Sequence, residues 1–391
     1  MPSRVQFGVD RLIANVPTAL RQARVGMVTS DVATTAVGGR PSRAALRDAG
    51  VNLTKLFGPE HGLAGTAVDG EKIDDALDPL TKLPVVSLYG KSMRPTAESL
   101  ADLDAIVYDI PDVGARFYTY IWTLSHVMEA AAQARKPLYV LDRPNPIGGD
   151  LAAAEGPMLD EERLSSFVGR WNIPIRYSLT IGELARLWNA ERKIGCELHV
   201  IGCAGWHRNL HWPETRLPFV QLSPAMMSYE TALFYPGTCL IEGTKLSEGR
   251  GTDAPFRMIG APWVDGAALA ERLNARRMAG VRVAAVEFTP QGRKYAGERC
   301  RGVVLEATDR LRIRPVAVGL ALVAELIARH REEFEWLPYP TAANEGGHQH
   351  FDRLVGRTDV RRALDRGEAH IDEWTATPGW AERARPHLLY E

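Results

Sequence analysis

Five short runs rich in β-branched residues recur through the first half of the chain, at residues 25–29, 51–57, 85–88, 105–110 and 138–141. Each ends in a polar turn made of glycine, proline or a charged residue. None alternates apolar with polar side chains. Strands covered on both faces read this way, because neither face of the pleat meets water. Helical stretches lie between the runs. One is expected to open near Ala115, since Phe117, Ile121, Leu124, Met128 and Ala131 follow at helical spacing. Another opens at Thr180-Ile181-Gly182-Glu183, a capping box that assigns Glu183 to the helix start. The pattern predicts an α/β fold with a Rossmann-like, doubly wound, mostly parallel sheet.

Pro213, Pro218 and Pro224 punctuate a stretch without periodicity. Beyond it come a glycine-rich loop, a helix near 265–277, strands near 281–288 and 303–307, and a helix from Pro315 to about residue 330. These predict a second, smaller α+β domain. The expected division is 1–225 for the Rossmann-like catalytic domain and 226–391 for the domain that closes a cleft against it. At 391 residues the chain is long enough for two cores.

A net charge of −1, with both signs interspersed, excludes a nucleic-acid or anionic-membrane surface. No apolar run reaches the length of a membrane span, and the first residues lack the apolar core of a signal peptide. The four cysteines form no CxxC pair, which suits a reducing cytoplasm. No GxGxxG or Walker A loop follows the first strand, so neither a dinucleotide nor a nucleotide cofactor is expected. His207 with His211, and His348 with His350, lack the companions of a metal site, and none is expected. A serine-hydrolase nucleophile elbow is also missing.

Open parallel sheets bind ligands outside the carboxyl ends of their strands. The residues just past each run are therefore the candidates. They include Glu60-His61, Asp112 with Arg116, and Asp142-Arg143 with Asn145. Glu60 sits in Gly58-Pro59-Glu60-His61-Gly62, where a strand end partly withdraws a carboxyl from water, the setting a general acid needs; a turn carboxylate that caps the next helix is the alternative. His61 is placed to orient Glu60, to bind substrate or to bind metal. Asp112 either caps the helix that follows or faces the cleft, and of Tyr118 and Tyr120 at least one should face it too. In the second half, residues 235–252 gather Glu242, Lys245, Glu248 and Arg250 among glycines and hydroxyls. Glycines let a backbone approach a ligand, and an arginine can grip a carboxylate bidentately; an inter-domain loop with internal ion pairs is the alternative.

Taken in order, LFGPEHGLAG, SLYG, DIPDVGARFYTY, LDRPNPIGG, EGPML, SFVG, TIGELA, YPGTCLIEGTKLSEGRGT, FDRLVG and LLY resemble the NamZ-type exo-beta-N-acetylmuramidases over nearly the whole chain. The resemblance implies a glycosidase that removes N-acetylmuramic acid from the non-reducing end of peptidoglycan fragments. Glu60 then takes the catalytic carboxyl role, with His61 and Asp112 beside it. Arg116, Tyr118, Arg143, Asn145, Glu242, Lys245, Glu248 and Arg250 surround the sugar. The partner is a small amino sugar or muropeptide. Its lactyl carboxylate would suit a cluster of Arg116, Arg143 and Arg250. The second catalytic group is either a carboxylate or the substrate's own acetamido oxygen. A non-catalytic sugar-binding protein on the same scaffold is the alternative. The chain departs from the family at Ser30, Pro111, Tyr177-Ser178, residues 223–227 and Lys245; the family has His-Gly where Tyr177-Ser178 stand and asparagine at Lys245.

Overall fold

The computed structural model describes residues 5–64 and 71–391. Seven strands form the first sheet: β1 (Val25–Thr29), β2 (Leu53–Gly58), β3 (Ala76–Leu77), β4 (Pro84–Ser87), β5 (Ala105–Asp109), β6 (Leu138–Leu141) and β7 (Leu198–Ile201). Their spatial order is β3-β4-β2-β1-β5-β6-β7, parallel except for β3 at one edge. The parallel strands progress outward in both directions from the β1–β5 pair. That reversal is the crevice where such sheets bind ligands.

The unbroken apolar runs follow from burial on both faces. In β5, Ala105 and Val107 pack into one apolar cluster with Met27, Leu46 and Leu141. Ile106 and Tyr108 pack into the other, with Val28, Ile121 and Leu124. The edge strand β7 was not foreseen, because a half-exposed run containing His199 lacks that signature. β3 is too short to carry a pattern.

The long helix is Tyr120–Ala134 and starts later than expected. Residues 115 and 116 are drawn into extended pairing with 175 and 176, and the Arg116 amide donates to the Ile175 carbonyl at 2.8 Å. Gly114, at φ +81, makes the turn into that segment. A Cβ there would lie 2.5 Å from Asn145 Oδ1. The capping box is present: Glu183 N–H donates to Thr180 Oγ1, and Thr180 N–H donates to Glu183 Oε2 at 3.0 Å.

The smaller sheet is antiparallel, with β10 (Cys300–Ala307) between β8 (Met258–Ala261) and β9 (Val281–Phe288). β8 falls within what reads in sequence as loop, its Gly260 lying directly against Gly302. Helix Pro315–Arg329 crosses helix Tyr229–Thr238 backbone to backbone at Gly319 and Gly237. A Cβ on Gly237 would come within 1.8 Å of the Pro315 carbonyl oxygen. This crossing fixes the 3-10 turn Cys239–Gly243 that carries Glu242. One apolar cluster runs from Phe57 and Ile106, through Phe117 and Tyr235, to Leu320 and Phe351. The two sheets are separate, but the core between them is continuous.

Candidate active site

Among the cavities along the carboxyl edge of the large sheet, two differ sharply in size and lining. The larger, about 320 Å³, lies at the β1–β5 reversal between Phe7, Val32, Trp212 and Phe219, with Asp112 and Arg143 at its polar end. The smaller, about 70 Å³, lies one strand over, past the end of β2. It gathers Glu60, His61, Tyr118, Glu242, Arg250 and His350.

Glu60 is 8 % exposed and receives a hydrogen bond from Thr119 Oγ1 at 2.5 Å. Thr119 stands just before the long helix, so that helix and β2 place the carboxylate jointly. Tyr120 hydroxyl donates to the Glu60 carbonyl oxygen at 3.4 Å. His61 holds φ at +67, a left-handed conformation unusual for a side-chain-bearing residue, and its ring meets Tyr120 edge-on. Tyr118 packs edge-on to both Tyr120 and Tyr235.

The other wall comes from the second half. Arg250 donates from Nη2 to Glu242 Oε1 at 2.6 Å and from Nε to Glu248 Oε1 at 3.1 Å. His350 Nε2 lies 3.3 Å from Glu242 Oε2, its ring stacked on Tyr339. Burial pushes the Glu242 carboxyl upward, but the His350 hydrogen bond and the Arg250 charge outweigh it and hold the group well below the usual range. Glu242 is therefore ionised. Because a carboxylate only accepts, His350 presents its Nε2–H. Beneath, Lys294 ammonium pairs with Glu248 and donates to the Ile241, Glu242 and Leu246 carbonyls. It pins the backbone of the whole turn. His350 and Lys294 went unassigned in the sequence, where neither has a neighbour that signals this role.

The remaining candidates lie elsewhere. Asp112 lines the larger cavity; its Oδ2 accepts from the Tyr177 hydroxyl and the Gly114 amide, and its buried Oδ1 has no partner among the described residues. Burial pushes its pKa up to about 6, against the pull of the Tyr177 hydrogen bond. Arg143 grips Asp109 through Nε and Nη2 at 2.6 and 2.9 Å. Arg116 is fully buried with no carboxylate partner. It donates instead to the carbonyls of Pro157, Ile173 and Leu354 at 2.7, 2.9 and 2.8 Å. Asn145 donates to the Leu179 carbonyl and accepts from the Ile147 amide, supporting the Gly114 turn. Lys245 is half-exposed and paired with Glu335. So of the expected sugar-binding set, Tyr118, Glu242 and Arg250 line the chamber with Glu60. Glu248 stands behind Arg250, and Arg116, Arg143, Asn145 and Lys245 are engaged outside it.

Asp142 is likewise structural: Thr180 and Tyr390 hydroxyls and the Gly182 amide all donate to it. His211 is buried against the Tyr229 hydroxyl and far from His348 and His350 in role. Among the described residues no three His, Cys, Asp or Glu side chains gather as a metal set, and no helix is long and apolar enough to cross a membrane.

Comparison with known proteins agrees over the full length. Residues 25–230 match the N-terminal model, and 233–390 the C-terminal model, of the exo-beta-N-acetylmuramidase NamZ. The chain is 41% identical to the peptidoglycan beta-N-acetylmuramidase NamZ of Bacillus subtilis (strain 168), over 99% of this chain and 92% of that protein. Two DUF1343 family proteins of Bacteroides fragilis share the fold in their crystal structures. One superposes with a TM-score of 0.88 at 32% identity, covering 99% of each chain. The other has a TM-score of 0.77 at 27% identity, covering 100% of this chain and 99% of that one. Two family models that together take in most of the sequence, and a relative this similar end to end, place the chain in the NamZ exo-beta-N-acetylmuramidase family.

Proposed function

We propose that this protein is a glycoside hydrolase that releases N-acetylmuramic acid from the non-reducing end of peptidoglycan fragments, with Glu60 as its catalytic carboxyl. The observation that carries the reading is the seating of Glu60, nearly buried and held by Thr119, in a chamber walled by Glu242, Arg250 and His350, in a chain that matches a peptidoglycan beta-N-acetylmuramidase from end to end. A carboxyl so placed can protonate the leaving oxygen as the glycosidic bond breaks. The sugar then develops positive charge, which a second group must meet. Both Glu242 oxygens already accept hydrogen bonds, from Arg250 and His350. That engagement favours the substrate's acetamido oxygen as the attacking group, with Glu242 orienting its two partners. His61, beside Glu60, is placed to contact the sugar or the leaving group. The four free, buried cysteines support a reducing compartment such as the cytoplasm. The test is incubation with a disaccharide capped by N-acetylmuramic acid, with product identification by mass. Free N-acetylmuramic acid is expected; binding without cleavage would make the protein a sugar-binding module instead.

A further inference from the structure

The three arginines that the sequence offers to an anionic sugar are all occupied. Arg116 spends both terminal nitrogens on backbone carbonyls away from the chamber, Arg143 is paired with Asp109, and Arg250 is shared between Glu242 and Glu248. Within the chamber the Arg250 charge is already balanced by the Glu242 carboxylate. A ligand carrying one needs a cation not yet neutralised.

Arg353 meets that need. It lies on helix His350–Val355, half-buried. A side pocket of about 40 Å³ is lined by Glu60, Thr119, His350 and Arg353. The first three also line the main chamber, so one ligand can span both. Among the described residues the Arg353 guanidinium has no hydrogen-bond or ion-pair partner, unlike the arginines above. The same pocket contains Ser166, whose hydroxyl is buried and likewise without a partner. A cation and a hydroxyl donor, both unspent, form a receptor for one carboxylate. The helix that presents Arg353 is held from both sides. Arg116 donates to its Leu354 carbonyl, and Gly243 lies so close that a Cβ there would come 2.8 Å from the Phe351 backbone.

We propose that Arg353, with the Ser166 hydroxyl, binds the lactyl carboxylate of N-acetylmuramic acid and so distinguishes that sugar from N-acetylglucosamine. The proposal rests on the glycosidase reading above and adds the residue that sets its specificity. With N-acetylglucosamine bound, the guanidinium gains no partner, and that difference is the preference.

The experiment compares kcat/KM on chromogenic β-glycosides of the two sugars for the wild type, Arg353→Gln and Arg353→Lys, with thermal unfolding confirming the fold. Arg353→Gln should lower efficiency on the muramic glycoside by roughly 10- to 100-fold, the scale of a hydrogen bond to a charged group, without an equal fall on the glucosamine glycoside. Lysine should restore part of the difference, as a point charge without the fork. An unchanged ratio in a folded variant overturns the assignment. If neither variant folds, the wild type is tested on a muramic glycoside whose lactyl group is amidated. A comparable loss supports the proposal, and equal rates on acid and amide refute it. If the wild type cleaves no glycoside, the glycosidase reading fails. Calorimetry with free N-acetylmuramic acid and its lactyl amide then decides separately: tighter binding of the acid, abolished by Arg353→Gln, upholds the carboxylate site, and equal or absent binding overturns it.

Discussion

The cavity at the strand reversal and the chamber at the end of β2 differ in the opposite sense to what their sizes suggest. The first is more than four times larger, about 320 against 70 Å³, and sits where the topology of the sheet opens a crevice. Its walls are mostly apolar, and its two charged side chains are committed, Asp112 to Tyr177 and Arg143 to Asp109. The second is small because the other half of the chain closes over it, bringing Glu242, Arg250 and His350 against Glu60. Volume in such a fold records how the strands are ordered. Chemistry concentrates where a second element narrows the space and withdraws titratable groups from water.

The largest expected effect separates the two regions outright. Glu60→Gln should lower kcat on a muramic glycoside by roughly 10²- to 10⁴-fold with the fold intact, the usual contribution of a general acid. Near-wild-type turnover would remove Glu60 from the reaction and reopen the larger cavity as the reacting centre.

Asp112→Asn should cost less than about 10-fold in kcat/KM, well short of a missing general acid. A loss matching that of Glu60→Gln would mean that the two cavities act as one site. The substitution also has a signature in stability. The folded carboxyl titrates near 6 and the unfolded one near 3.8. Between those values the folded state binds a proton that the unfolded state does not. Stability is therefore greatest at the acid end and falls as pH rises through about 6, by on the order of 3 kcal/mol at most. Unfolding curves from pH 4 to 7 should show a shallower decline for Asp112→Asn than for the wild type. Parallel slopes would show that Asp112 keeps an ordinary affinity for protons.

The smallest effect is expected at Ser178, which the family resemblance gives as glycine. Its φ is +55, and its buried hydroxyl has no partner among the described residues. Ser178→Gly should raise unfolding stability by roughly 1 kcal/mol through relief of the left-handed backbone. Activity should stay as it is, since the residue does not line the Glu60 chamber. A destabilised variant would show that the serine has found a compensating role.

The parallel strands were legible because double-sided burial leaves an unbroken apolar run, as in β1 and β5. The edge strand β7 was not, since half of it meets water. That Glu60 lines a cleft was legible from its place at a strand end. The arginines were not. Whether Arg116 meets a ligand or the carbonyls of Pro157, Ile173 and Leu354 depends on three distant segments converging on it. The same limit hid the placing of Arg353. FDRLVG stands out as a motif, but nothing local says that Arg361 takes its neighbour Asp352 and that Arg353 lines a pocket with Glu60.

The chain leaves the large sheet after β7 and comes back to its edge at residues 388–391. There Tyr390 hydroxyl donates to Asp142 Oδ2 at 2.5 Å and accepts from the Cys203 amide at 2.8 Å. The Leu389 amide donates to Glu183 at 2.9 Å, and the Glu391 carbonyl accepts from Arg208. The second half is thus tied back to the first at its end as well as along its face, where Arg116 donates to Leu354, the Val316 and Ala317 amides donate to Glu155, and Trp380 donates to the Tyr177 carbonyl. Cutting the chain where it first leaves the large sheet would leave every one of these ties in place.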